Sequence, residues 1–157
     1  MSISPTEAAR AAERGLREIS EPEVAAAYTA SHPGVALLVK RLDQIDDDYY
    51  LVPWQDSRGV VLVVQVDAST GKMLSAAALP IPLPSLVMSP AEARHLAKTH
   101  LNRRVTGEPA LVWRPSRESA SPLQPFYYVP TEGGDAYITV NGSVYQRLTP
   151  FGMGGQG

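Results

Sequence analysis

The three histidines are the first residues to consider for metal or acid–base chemistry. His95 and His100 lie five positions apart on a predicted helix, about 140° apart around its axis. That angle keeps the two imidazoles from sharing one metal ion, and His32 ends a predicted helix, where its ring can bind the last carbonyls. With 0 cysteines, thiol catalysis, disulfides and cysteine-ligated metals are excluded. We therefore predict no metal or other cofactor.

Other reactive patterns are equally weak. No G-x-S-x-G nucleophile motif occurs, and the glycines near the C-terminus precede no helix that could hold a phosphate. Asp46, Asp47 and Asp48 lack the spaced ligands and glycine turn of a calcium loop, and they indicate a solvated hairpin loop instead. The sequence therefore predicts a protein that is not an enzyme.

Aromatic side chains provide the remaining candidate site. Two adjacent pairs on predicted strands, Tyr49/Tyr50 and Tyr127/Tyr128, must each point to opposite faces of a sheet. One member of each pair therefore faces away from the helices. It lies either on an exposed recognition surface or in a core between two repeated parts of the chain, which are described below. The candidate partner-binding residues are Tyr49, Tyr50, Trp54, Trp113, Tyr127, Tyr128, Tyr137 and Tyr145.

The composition is that of an ordinary globular protein, with 44% hydrophobic and 19% charged residues in a chain of 157. Its 14 basic and 16 acidic side chains give a net charge of −2, which predicts no nucleic-acid partner. No signal sequence is recognisable, and the longest apolar stretch is broken by prolines and too short to span a bilayer. We expect a cytoplasmic protein without membrane insertion, or an extracytoplasmic one if a leader was removed.

The elements that position these residues occur twice along the chain. The segment SPTE at Ser4 recurs 85 residues later as SPAE at Ser89. Each copy predicts a capping box with proline at the first helical position, preceded by an apolar residue, Ile3 or Met88, that suits a hydrophobic staple. Apolar residues at i, i+4 and i+8 then give each helix a narrow stripe that packs on a sheet.

The predicted strands also correspond. The aromatic strand at Tyr49 recurs 77 residues later at Phe126, and each copy continues with a β-branched strand and a turn. In the second copy that turn is Asn141-Gly142, a strong hairpin signal. The first copy adds a helix from Ser20 to about His32, opened by another capping box.

These patterns predict an α+β fold of two tandem helix-plus-antiparallel-meander modules. We place the first module at residues 1–79 and the second at 89–150. A proline-rich, polyproline-like linker occupies 80–88. Residues 151–157 form a glycine-rich tail that we expect to be flexible.

The first copy resembles a PepSY domain from Ser20 to Ala78. The resemblance rests on the helix ending in His-Pro-Gly at His32, on the Tyr-Tyr-Leu-Val strand at Tyr49, and on the V-D-A-x-T-G pattern at Val66. The second copy, Ser89–Pro150, looks like a divergent relative. The resemblance implies a small cystatin-like unit without a catalytic motif and with a role in binding or restraining peptidases.

Together these features predict a non-enzymatic protein-binding module that presents a sheet face or a free strand edge. Within that class we favour an inhibitor, chaperone or regulatory partner of a peptidase. One alternative is a small-molecule-binding domain or enzyme that uses a cleft between the modules. Another is a structural subunit of a homo-oligomer or of a larger assembly.

Overall fold

The protein combines helices with largely antiparallel strands in a computed structural model that describes residues 2–43 and 47–150. This confirms the predicted α+β class. Within the described residues the helices are α1 (Pro5–Arg17), α2 (Pro22–Thr29) and α3 (Pro90–Leu101), and the strands are β1 (His32–Pro33), β2 (Leu37–Arg41), β3 (Tyr49–Asp56), β4 (Gly59–Asp67), β5 (Met73–Leu83), β6 (Ala110–Trp113), β7 (Phe126–Thr131), β8 (Gly134–Ile138) and β9 (Val144–Tyr145). In this part of the chain no helix is long and apolar enough to cross a membrane.

The described residues divide into two compact units. The first holds residues 2–39 and 47–86, and the second holds residues 40–43 and 87–150. The division after Leu86 lies within the predicted linker. The second unit also takes residues that precede β3 in the sequence, which a simple cut of the chain into two halves does not predict.

The starts of α1 and α3 were both predicted from their caps. Ser4 Oγ accepts from the backbone N of Glu7 at 3.1 Å, and the Glu7 carboxylate accepts from the Ser4 backbone N at 3.3 Å, which completes a capping box. Ser89 Oγ likewise accepts from the backbone N of Glu92 at 3.1 Å, but the Glu92 carboxylate accepts from the Ser89 hydroxyl and not from its backbone N, so the predicted capping box is only half formed there. Each bond satisfies an N–H that has no partner inside its helix.

Helix α2 is shorter than predicted. Its N-cap is Glu21, which makes no side-chain capping bond, so the expected capping box at Ser20 is wrong. The helix ends at Thr29, and His32 and Pro33 are extended and pair with β3. A residue that precedes proline is disfavoured in the helical conformation, which accounts for the extended backbone of His32.

The first unit contains an antiparallel sheet in the order β5-β4-β3-β2, with β1 also paired to β3. The predicted apolar stripe of α1, formed by Ala8, Ala12 and Leu16, is at most 2% exposed and packs on the face of β3 that carries Tyr50 and Trp54. The β-branched residues of β4 complete this core.

The second unit contains the antiparallel strands β6-β7-β8-β9, and α3 packs on them through Ala93 and Ala97. The last two residues of β2, Lys40 and Arg41, belong to this unit and pair in parallel with Val112 and Trp113 of β6. The predicted meander was antiparallel throughout. This pair corrects that prediction, since Lys40 and Arg41 run in the same direction as β6.

The predicted linker begins inside a strand. Residues as far as Leu83 belong to β5, and Leu83 pairs with Val60 of β4. Pro80 and Pro82 are tolerated because β5 is an edge strand, where a missing N–H on the solvent side removes no ladder bond. The polyproline-like linker is therefore wrong for residues 80–83. The predicted tail, residues 151–157, and Asp46 lie outside the described residues.

One tyrosine in each unit binds the chain just before a helix. The Tyr50 hydroxyl donates to the carbonyl of Ile3 at 2.8 Å, and the Tyr127 hydroxyl donates to the carbonyl of Met88 at 2.9 Å. Both acceptors directly precede a helix N-cap. The second residue of each aromatic strand therefore fixes the start of the helix that packs on it.

We expect Tyr50→Phe and Tyr127→Phe each to lower the free energy of unfolding by about 1–2 kcal/mol, because a carbonyl loses its donor while the ring stays in place. Urea denaturation followed by circular dichroism measures the loss. Tyr145→Phe is the control, since Tyr145 is 38% exposed, and it should change stability by less than about 0.5 kcal/mol. Equal stability of all three variants would contradict the two anchoring bonds.

Candidate functional site

Most of the predicted partner-binding aromatics are not accessible. Five of the eight are at most 7% exposed: Tyr49, Tyr50, Trp54, Trp113 and Tyr127. Tyr50 and Trp54 belong to the core beneath the helices of the first unit, whereas Tyr49 points to the other face of β3 and is also 0% exposed. For these five residues the burial agrees with the alternative of a covered core, and not with an exposed recognition surface.

The other three aromatics lie in one row across the second unit. Tyr128 pairs with Tyr137, and Tyr137 pairs with Tyr145. The rings of Tyr128 and Tyr137 have centroids 5.6 Å apart, and the Tyr128 hydroxyl donates to Asp135 Oδ1 at 2.8 Å, which raises the pKa of Tyr128. The register of β7, β8 and β9 accounts for the alignment of the row.

The outer edge of β5 is the main feature that the aromatic pattern did not reveal. β5 is the last strand of the first unit's sheet, and among the described residues only β4 pairs with it. It is 11 residues long, whereas natural edge strands are often short or charged to prevent pairing with other chains. No charged residue occurs from Met73 to Leu83.

The direction of the free backbone groups on β5 follows from Pro53. The Pro53 carbonyl accepts from the Gly34 N–H at 2.7 Å, so it points away from β4. Val63 is the partner of Pro53 on β4, and its backbone N–H and C=O therefore point toward β5. Val63 pairs with Ala77, so the N–H of Ala77 faces β4. The N–H and C=O groups of Ala76 and Ala78 therefore face outward from the sheet.

A groove adjoins this edge on the helix side of the sheet. It has a volume of ≈ 590 Å³ and lies between α2 and the end of β5. Its lining includes alanines from both elements: Ala26, Ala27 and Ala30 of α2, and Ala78 of β5. Small side chains leave room that a larger side chain from another molecule can fill.

Three charged residues line the groove: Glu23, Asp56 and Arg58. Arg58 donates to Asp56 Oδ2 from Nη2 at 2.8 Å and from Nε at 3.2 Å, which holds the pKa of Asp56 below its usual value. Glu23 is exposed, and its carboxylate makes no hydrogen bond or ion pair within residues 2–43 and 47–150. Its carboxylate is therefore the one charge of the groove that these residues leave unbalanced.

Comparison with known proteins adds little to this geometry. No family model and no curated protein matches the chain. Among solved structures, the chain is similar to the crystal structure of a "putative lipoprotein" from Clostridium difficile 630, with 16% sequence identity and a TM-score of 0.29. The match covers 77% of this chain and 83% of the other.

Asp47, which precedes β3, and Asp67, which ends β4, both bind the chain itself. Asp47 accepts from the Ser69 hydroxyl at 2.7 Å, and Asp67 accepts from the backbone N–H groups of Ser69 and Thr70 at 2.8 and 2.9 Å. Partial burial raises the pKa of Asp67, but these hydrogen bonds outweigh it and leave the pKa below its usual value. Over the described ranges, no three His, Cys, Asp or Glu residues are placed to hold a metal ion.

Proposed function

We propose that the protein is a non-enzymatic binding protein composed of two PepSY-like modules, and that it binds an extended segment of a partner protein at the edge of β5. The internal repeat supports the two modules. Besides the paired tyrosine bonds, Pro33 bridges Trp54 in the first unit and Val105 bridges Thr131 in the second. Trp54 and Thr131 are 77 residues apart, which is the same offset that relates the two aromatic strands in the sequence.

The free backbone of β5 is the observation that carries the proposal. Ala76 and Ala78 offer outward N–H and C=O groups, which an added strand can pair with in the manner of β-augmentation. The neighbouring Leu74 and Ile81 are 47% and 75% exposed, so apolar area is available beside the hydrogen-bonding groups. Main-chain bonds would supply affinity, and side chains that enter the groove would supply selectivity.

The resemblance to PepSY domains makes a peptidase the partner class that we propose, with this protein as its inhibitor, chaperone or regulatory partner. The location that we propose is the cytoplasm. An uncharged strand edge suits this role, because it pairs through the backbone and tolerates a range of partner side chains.

A variant that removes one outward donor tests the binding edge. The probe is a phage-displayed library of random twelve-residue peptides, from which binders are synthesised with a fluorescent label. We expect Ala76→Pro to weaken their binding about tenfold, because one backbone bond is lost and the proline ring occupies the edge. Fluorescence anisotropy gives the dissociation constants.

Ala76→Ser is the matched control, since it keeps the N–H and should bind within about twofold of the unchanged protein. Thermal unfolding of both variants shows whether the fold is retained, and the outward direction of the Ala76 N–H predicts that it is. Unchanged binding by a folded Ala76→Pro variant would place the peptide elsewhere and contradict this proposal.

A further inference from the structure

We propose that the groove beside β5 selects a lysine or arginine side chain of the bound segment, with Glu23 as the residue that determines specificity. This inference rests on the proposed function, since it assigns the chemistry of the segment that pairs with β5. It goes further by naming the side chain that the segment must carry and the group that recognises it.

The register of an added strand brings one side chain to the groove. Ala76 and Ala78 lie on the helix side of the sheet, where both pack against the core of the first unit. Residues directly opposite each other on neighbouring strands point to the same face. The residue that pairs with Ala78 therefore directs its side chain toward α2, into the groove that Ala78 itself lines.

The lining of the groove suits a long side chain with a charged end. The alanines, together with Leu79 and Pro80, form an apolar wall along which a methylene stem can pack. Glu23 lies in the first turn of α2 and is exposed at the groove. A cationic end group can reach water and this carboxylate together, which is how lysine and arginine commonly extend along apolar surfaces.

The charge balance favours a cation over an anion. Asp56 and Arg58 neutralise each other through two hydrogen bonds of 2.8 and 3.2 Å. Glu23 then leaves the groove with one net negative charge. A carboxylate in the bound segment would be repelled, and a neutral side chain would gain the apolar contacts only.

A second copy of this chain is a poorer occupant. Residues 73–83 of β5 include no charged side chain, so a second β5 at this edge would bring no cation to Glu23. A single strand pair also buries far less than the roughly 1,200–2,000 Å² of a stable interface. A separate segment with a long side chain uses both the edge and the groove.

The experiment compares peptides selected from the same displayed library by the unchanged protein and by Glu23→Gln. We expect lysine or arginine to be enriched at one fixed position by the unchanged protein, and not by the variant. For a selected peptide, replacing that residue by norleucine should weaken binding up to about fivefold, as expected for an exposed ion pair. The same replacement should have no effect on binding to Glu23→Gln.

The possible outcomes separate the two proposals. Selected peptides that bind at β5 without a basic preference would overturn this inference and leave the proposed function intact. Failure to select any peptide would overturn both. A dimer that forms in light scattering and is lost in Ala76→Pro would show a second copy at the edge and would also overturn the inference. A charge swap tests the inference directly. If the Glu23→Lys variant binds a peptide with glutamate in place of the basic residue more tightly than the original peptide, the inference is supported.

Discussion

Trp54→Ala is expected to lower the free energy of unfolding by about 3–5 kcal/mol, since it deletes a large buried ring from a packed core. Trp54 is 1% exposed and lies on β3, which pairs with neighbours on both sides. Its ring and that of Tyr28 from α2 form a T-shaped pair with centroids 6.2 Å apart. The substitution therefore removes contacts that join α2 to the sheet, and a loss of this size is a large share of the stability of an ordinary domain.

Urea denaturation followed by circular dichroism measures this effect, since the substitution itself alters tryptophan fluorescence. Trp54→Phe keeps an aromatic ring for Tyr28 and should lose clearly less. Leu38→Ala is a second control, because Leu38 is 45% exposed and should change stability by about 0.5 kcal/mol or less. A loss below about 1 kcal/mol for Trp54→Ala would mean that the ring is not packed beneath the helices.

The features predicted best from the sequence are those that depend on neighbouring residues. Ser4 and Ser89 start helices because their hydroxyls reach an N–H three positions later, and that geometry is the same wherever the segment lies. The apolar stripe of α1 is equally local. The aromatic strands β3 and β7 were also predicted, since β-branched and aromatic residues favour a half-buried pleated surface.

The failures concern contacts that no short segment specifies. Alternation shows that Tyr49 and Tyr50 point to opposite faces, but it does not show that both faces are covered. The parallel pairing of Arg41 with Trp113 joins residues far apart in sequence. Pro80 and Pro82 were assigned to a linker because proline disrupts most strands, and only the position of β5 at a sheet edge makes them acceptable there.

The candidate site was hidden for a related reason. Alanines on α2 and β5 have no distinctive chemistry, and an acidic residue in the first turn of a helix is explained by the helix dipole alone. Glu23 becomes informative only when it faces a groove in which the other charges are paired. The sequence predicted that a free strand edge could bind a partner, but it did not show that β5 would be that edge.

Gly59→Ala is expected to cost about 2–4 kcal/mol of stability, because two separate penalties act at this position. Gly59 has a φ of +127°, a conformation that costs other residues about 1–3 kcal/mol. A Cβ at Gly59 would also lie 2.2 Å from the carbonyl oxygen of Leu83. Both are backbone constraints, so the end of β5 must move away from the turn between β3 and β4.

Gly71→Ala is the matched control, since Gly71 has a φ of +76° but its Cβ would meet no atom closer than 3.6 Å. It carries the conformational penalty alone, about 1–2 kcal/mol. The difference between the two variants in urea denaturation measures how closely Leu83 is held to Gly59.

Moving Leu83 also displaces Pro80 and Pro82 of the groove, so Gly59→Ala should weaken peptide binding where Gly71→Ala does not. Equal losses of stability in the two variants would contradict the pairing of Leu83 with β4, and with it the extension of β5 through the prolines.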